Sequence, residues 1–279
     1  AKKEGIKAKN FIGDAFSNEM KEEVIKYIKE EFGGKIDLVI YSLASAVRTD
    51  PTDGVTYRSA LKSTKEEITG PTINFEKETM EDTTMGVATP EEVKSTVKVM
   101  GGEDWKLWIE ALADADVLAE GFKTVAYSYL GPKVTYGIYK DGTIGAAKRD
   151  LEHTSDVLND FLKEKVNGEA YVSLSKALMT KASAVIPIFP LYAALLYRVM
   201  KEKGIHEGTI QQKHRLLKDM VYGDKPEIDD QRRLRPDNWE MREDVQGARE
   251  EFMQLNGFDF DNVDYDADVD IDELAKLKP

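Results

Sequence analysis

Three short apolar runs do most to fix what this chain can fold into: "KIDLVIYSLAS" (35–45), "GFKTVAYSYLG" (121–131) and "GEAYVSLSKALMT" (168–180). The first is nearly continuous in apolar residues and bounded by glycines and small polar residues, as a strand covered on both faces reads; the other two follow as further core strands. Helical patterns alternate with them. In "SNEMKEEVIKYIKEEFGG", Ser17 stands as N-cap, Met20, Val24, Tyr27 and Ile28 share a face, and Gly33-Gly34 closes the helix. Thr89-Pro90-Glu91-Glu92 combines an N-cap, a first-turn proline and a capping-box glutamate, and "EDWKLWIEALADADVL" follows. "TIGAAKRDLEHTSDVLNDFLKEKV" (143–166) carries Ile144, Ala147, Leu151, Leu158, Phe161 and Leu162 near one stripe. Strand alternating with helix predicts an α/β fold with a parallel sheet and right-handed crossovers. Ligands of such sheets bind at the carboxyl ends of the strands, here "YSLAS", "YSYLG" and "LSKALMT".

The remaining segments are expected to decorate that core. Residues 50–88, rich in threonine and turn formers, read as an excursion of β-ribbon or loop between core elements. Beyond residue 180 the pattern turns helical, with Asp237 and Glu240 as a second capping-box pair. In the acidic tail, a calcium loop fails because Val269 and Ala275 stand where the turn glycine and the bidentate glutamate belong. Alternation makes 259–279 an edge strand with a charged outer face, packed on a core of residues 1–258.

Composition narrows the chemistry. The chain of 279 residues has no cysteine, which excludes thiolate metal sites, and its three histidines lack ligand spacing. A net charge of −13 speaks against a nucleic-acid surface. No apolar run is long enough to span a membrane and the N-terminal segment carries no signal core, so a cytoplasmic location is expected. Arg232, Arg233 and Arg235 form the one basic cluster; a solvated patch is its ordinary reading and an anion site the alternative.

Within "YGIYKDGTIGAAKRD", Tyr139 precedes the Asp141-Gly142 break and Lys148 lies in the second turn of the following helix. An ammonium about 4 Å from a phenol, at an effective dielectric near 20, favours phenolate by roughly 4 kcal/mol. Such a phenol becomes an acid able to protonate an oxyanion near neutral pH. Spacing alone is weak support, because a Tyr-x8-Lys pair arises by chance in a chain with 12 tyrosines. The strand-to-helix setting strengthens it.

"DLVIYSLASAVRTDP", "YSYLGPKVTYGIYKDGTIGAAKRDLE" and "LSKALMTKASAVIPIFPLY" resemble the trans-2-enoyl-CoA reductases, relatives of bacterial enoyl-[acyl-carrier-protein] reductases with a wide Tyr-x8-Lys motif. The resemblance covers essentially the whole chain. It implies a Rossmann-like sheet with helices on both faces, an extra helical substrate lid, and NADH-dependent reduction of the C2=C3 bond of an acyl thioester in fatty acid synthesis. The apolar run Ile186–Leu196 looks like that lid, with an ordinary core helix as the equal alternative. By that resemblance Tyr139 donates the proton, Lys148 binds the nicotinamide ribose and tunes Tyr139, and Tyr129 contacts substrate. Cofactor contacts implied are Asp14 and Ala15 on the adenine side, Leu43 and Ala44 along the strand end, and Leu178, Met179 and Thr180 beside the carboxamide.

The chain departs from the family in lacking a first strand and a G-x-G-x-x-G loop, so a first βαβ unit of the same protein is expected to be missing from it. A monomer acting on a small acyl thioester is expected. The rival readings are an enoyl-[acyl-carrier-protein] reductase, a carbonyl-reducing short-chain dehydrogenase, and a non-catalytic dinucleotide-sensing module.

Overall fold

The computed structural model describes residues 5–43, 45–74, 79–179, 183, 186, 188–224 and 226–256. The elements in chain order are α1 (Asn18–Glu31), β1 (Ile36–Tyr41), β2 (Val47–Thr49), β3 (Thr56–Arg58), β4 (Ile68–Asn74), β5 (Thr79–Met85), α2 (Pro90–Met100), α3 (Glu103–Asp114) and β6 (Leu118–Ser128). They continue with α4 (Tyr136–Tyr139), α5 (Thr143–Val166), β7 (Glu169–Leu174), α6 (Phe189–Glu202), α7 (Thr209–Arg215), β8 (Arg233–Leu234) and α8 (Glu243–Asn256). The main sheet has the order β1-β6-β7-β8, with β1 and β6 parallel. The edge strand expected at 259–279 lies outside the described residues, as do Ala44 and Thr180.

By packing, the chain divides into two units. One comprises Ala1–Ala60, Pro90–Tyr127 and Ala146–Val172. Here Ser17 caps α1 through its hydroxyl, which accepts from Met20 N at 3.1 Å, and the chain leaves the helix through Gly33 and Gly34 at φ +91° and +83°. Strand β1 differs from expectation: most of its residues are half-buried, not covered on both faces. It stands at the end of the sheet order, where one flank has no strand neighbour among the described residues. Its last residue, Tyr41, instead reaches a buried polar knot. Asp104 of α3 accepts from the Tyr41 hydroxyl at 3.1 Å and from Lys21 Nζ at 3.0 Å, and Lys21 also donates to Phe16 O at 2.7 Å. Two buried opposite charges survive there because each is also hydrogen-bonded. At the α2–α3 junction Gly102 N donates to Asp150 of α5 at 2.8 Å.

The other unit comprises Leu61–Thr89, Ser128–Gly145 and Ser173–Pro279. The threonine-rich excursion folds as the antiparallel β4–β5 hairpin, and Thr69 and Thr84 share a hydroxyl contact of 2.8 Å across it. The third apolar run ends as strand at Leu174, six residues before Thr180; beyond it the Ala177 amide donates to the Glu240 carboxylate instead of a sheet partner, and Lys176 Nζ donates to Glu207 O. Asp237 and Glu240 do not form a capping box. The helix starts only at Glu243, Asp237 pairs with Arg235, and Glu240 points inward. The core gathers Met85, Ile138, Phe189, Tyr192, Leu196 and Val245, with α6 packed on α8 and β4.

The turn between α4 and α5 tolerates only glycine. A Cβ on Gly142 would lie 2.5 Å from Ile138 O, and one on Gly145 would overlap Lys140 O. Both obstacles are backbone and cannot swing away. Gly145→Ala should therefore lower stability by about 1–3 kcal/mol, the usual range for an overpacked site, read as a drop in the midpoint of chemical denaturation.

Candidate active site

Local chain geometry brings two of the expected tyrosines together. Strand β6 ends at Ser128, so Tyr129 is the first residue beyond the sheet's rim. Gly131, at φ +68°, bends the chain back, and a Cβ there would overlap the Tyr129 hydroxyl. A short 3-10 turn (Lys133–Thr135) then leads into α4, which carries Tyr139 on its last position. The Asp141-Gly142 break is stitched to the segment before β4: Thr143 N donates to Lys62 O at 2.9 Å, and Thr64 N to Asp141 O at 3.2 Å. The Tyr129 and Tyr139 rings consequently meet edge to face with centroids 4.7 Å apart, and both lie against Phe189 of α6, at 5.5 and 5.7 Å.

A carboxylate holds this cluster. Glu240 has no exposed surface. Its Oε1 accepts from the Tyr129 hydroxyl at 3.0 Å and from the Tyr192 hydroxyl at 2.6 Å, while Oε2 accepts from Ala177 N at 2.6 Å. Gln246 of α8 donates to the Tyr192 oxygen at 3.2 Å and to Glu240 O at 2.7 Å. Burial pushes the Glu240 carboxyl up to about 7, against the lowering effect of its donors, of which the Tyr192 hydroxyl is the largest.

The phenols run opposite to the acidic tyrosine expected from the sequence. Burial first, then the Glu240 charge, holds Tyr139 above its ordinary value, and Tyr129 and Tyr192 are raised in the same way. Tyr139 in the protein alone is thus a firmly protonated phenol. Its hydroxyl makes no hydrogen bond to another described residue, whereas those of Tyr129 and Tyr192 are committed to Glu240. Lys148 lies in the second turn of α5, donating from Nζ to Tyr127 O at 3.4 Å. Burial lowers it to about 8, partly opposed by Glu152.

The expected cofactor contacts fall in two places. In the first unit, Ala15 and Leu43 line one cavity of about 380 Å³ with Ile40, Tyr41 and Trp108. Trp108 Nε1 fixes the loop by donating to Ala15 O at 3.0 Å. Asp14 uses its carboxylate to accept from Phe16 N at 2.9 Å, so it shapes the turn that presents Ala15. This mainly apolar cavity suits a flat base such as adenine, and no glycine-rich pyrophosphate cradle accompanies it among the described residues. In the second unit, Leu178 and Met179 line a cavity of about 350 Å³ with Lys176, Tyr197, His206 and Glu207. The Tyr197 hydroxyl accepts from Met179 N at 3.0 Å and donates to Ala177 O at 2.9 Å, fixing that segment. Two arginines of the basic cluster are paired, Arg233 with Asp229 at 2.8 Å and Arg235 with Asp237 at 2.8 Å.

Sequence reasoning missed Glu240, Tyr192, Phe189 and Gln246. A signal existed for the first, since "NWEM" sets the carboxylate between Trp239 and Met241.

The α/β fold with its parallel strand pair is Rossmann-like, and the relatives it matches make it an oxidoreductase acting on CH–CH bonds. Comparison with known proteins narrows this. The family described as the trans-2-enoyl-CoA reductase catalytic region matches residues 1–222, and one described as the enoyl reductase FAD binding domain matches 244–269. A trans-2-enoyl-CoA reductase [NADH] of Clostridium beijerinckii is 51% identical, over 100% of this chain and 76% of the relative. An enoyl-[acyl-carrier-protein] reductase [NADH] 2 of Photobacterium profundum is 50% identical, over 99% and 75%. The crystal structure of a Clostridium trans-2-enoyl-CoA reductase in complex with NAD superposes with a TM-score of 0.87 at 47% identity, covering 100% of this chain and 77% of that one. The chain belongs to the trans-2-enoyl-CoA reductase family.

The raised Glu240 carboxyl fixes the sign of a stability change. Ionisation is disfavoured in the folded state, so the penalty is full above about 7 and vanishes below the ordinary value of 4.5. Stability should rise as pH falls across that window, by about 3 kcal/mol at most. Measured as the difference between wild type and Glu240→Gln in urea unfolding, this rise should be absent from the variant.

Proposed function

We propose that this chain reduces the C2=C3 double bond of trans-2-enoyl-CoA thioesters with NADH, within fatty acid synthesis. The observation that carries the reading is the tyrosine pair, in which Tyr129 has spent its proton on Glu240 and Tyr139 has not. When bound, a reduced nicotinamide supplies the hydride to C3. Negative charge then moves onto the thioester oxygen, where a neutral phenol stabilises it by hydrogen bonding and a preset donor costs no reorganisation. Tyr139 fills that role and assists protonation of the enolate. Its raised proton affinity keeps the donor loaded at neutral pH. Tyr129 presents lone pairs and ring surface to the substrate, and Phe189 and Tyr192 of α6 form the apolar wall beside it.

Lys148 is assigned to the cofactor ribose. Lowered to about 8, it remains mainly charged at neutral pH. Asp14, Ala15, Leu43 and Ala44 are assigned to the adenine side, and Leu178, Met179 and Thr180 to the carboxamide side. For the match to the FAD-named family, the described part is α8, and its Gln246 serves the Tyr192–Glu240 pair. We read residues 1–258 as one working core, acting as a cytoplasmic monomer. No helix among the described residues is long and apolar enough to cross a membrane. Coenzyme A is preferred over an acidic carrier protein because a net charge of −13 repels the latter.

Whole protein supplied with NADH and crotonyl-CoA should consume NADH, while the matching 3-keto thioester should not be consumed. Oxidation with the keto compound alone would assign the carbonyl-reducing activity instead. Tyr139→Phe should lower kcat by about 10²–10⁴-fold, the range for a lost general acid, without changing the unfolding midpoint by much. Lys148→Met should weaken NADH affinity, measured by fluorescence titration; undiminished affinity would remove its assigned role.

A further inference from the structure

Glu240 lies 111 residues along the chain from Tyr129, has no exposed surface, and does more than fill space. A phenol carries one proton. Tyr129 gives its proton to Oε1 at 3.0 Å, and Tyr192 gives its own to the same oxygen at 2.6 Å. Oε2 is taken by the Ala177 amide at 2.6 Å, a donor that cannot reverse. A proton that settles on Oε1, the oxygen both phenols share, is donated to one of the two phenol oxygens. The Tyr192 oxygen already accepts from Gln246 at 3.2 Å. The Tyr129 oxygen accepts from no other described residue. The added proton goes to Tyr129, whose own hydrogen must then turn away from Glu240.

We propose that Glu240 is a positioning residue that sets whether Tyr129 faces the acyl thioester as an acceptor or as a second hydrogen-bond donor beside Tyr139. With the carboxylate ionised, Tyr139 alone donates to the developing enolate. With it protonated, both phenols do. This rests on the enoyl-reductase reading for what Tyr129 faces. The groups around the carboxylate place its titration near neutrality: burial raises it, Asp237 adds to the rise, and Tyr129, Tyr192 and Ala177 N oppose it. Arg249 lies over the Tyr192 ring with its guanidinium 5.4 Å from the centroid and acts from α8. Tyr139, whose proton affinity the Glu240 charge raises, also faces it.

The test compares pH profiles of kcat between pH ~5.5 and ~8.5 for wild type, Glu240→Gln, Tyr129→Phe and the double variant. The substrate is a crotonyl thioester of N-acetylcysteamine, which has no titrating phosphate. Wild type should gain rate on the acid side by up to about tenfold, less than the usual worth of an oxyanion donor. Glu240→Gln, whose amide mimics the protonated carboxyl, should lose that limb and stay fast. Tyr129→Phe should lose it and stay slow, and the double variant should match Tyr129→Phe. A limb that persists in either single variant, or losses that multiply in the double, would overturn the proposal.

A second readout needs no turnover, so it separates failure here from failure of the enoyl-reductase reading. The infrared carboxyl band of wild type minus Glu240→Gln should titrate near neutral pH. Its midpoint should move upward in Tyr129→Phe, because a donor to the carboxylate has been removed. An unmoved midpoint would sink the coupling even if crotonyl thioesters are turned over.

Discussion

A single carboxylate without solvent contact organises the second unit. Burying such a charge is unfavourable unless its lone pairs are met, and Glu240 meets that condition with donors from three separated stretches: Tyr129 beyond β6, Ala177 beyond β7 and Tyr192 within α6. Removing any one would leave the others with a partly unsatisfied buried anion. The loop carrying Tyr129, the segment before Met179 and α6 are therefore mutually fixed, and the aromatic stack of Tyr129, Tyr139 and Phe189 inherits its geometry from them.

The same arrangement changes how the tyrosine chemistry is understood. A phenol acidified by an ammonium would be a strong proton donor that is partly spent at neutral pH. The phenols seen are held neutral by apolar surroundings and by a nearby negative charge. A neutral donor suits an oxyanion that appears only after hydride has been transferred, since it binds the transition state better than the uncharged thioester.

Much of the framework was legible in the chain. The bounds of α5, Thr143–Val166, follow from the apolar stripe and the Asp-Gly break, and the Ser17 cap and Gly33-Gly34 stop follow from local chemistry. The strands were found but not their ends: "LSKALMT" reads as apolar continuation, while its backbone and side chains are claimed by Glu240, Glu207 and Tyr197. The half-exposure of β1 was invisible because an apolar run looks alike in the centre and at the end of a sheet order. Glu240 was read as a cap because Asp-x-x-Glu is a local signal, whereas its real partners are brought to it only by tertiary folding.

Gly131 carries a final consequence. Its left-handed backbone and the space beside it are both occupied on behalf of the Tyr129 oxygen, so no side chain can enter that bend without evicting the phenol. Drift at this loop position is thereby yoked to the Tyr129–Glu240 contact: a methyl group, the smallest change available to evolution there, would register first as a displaced hydroxyl and only afterwards as an altered turn.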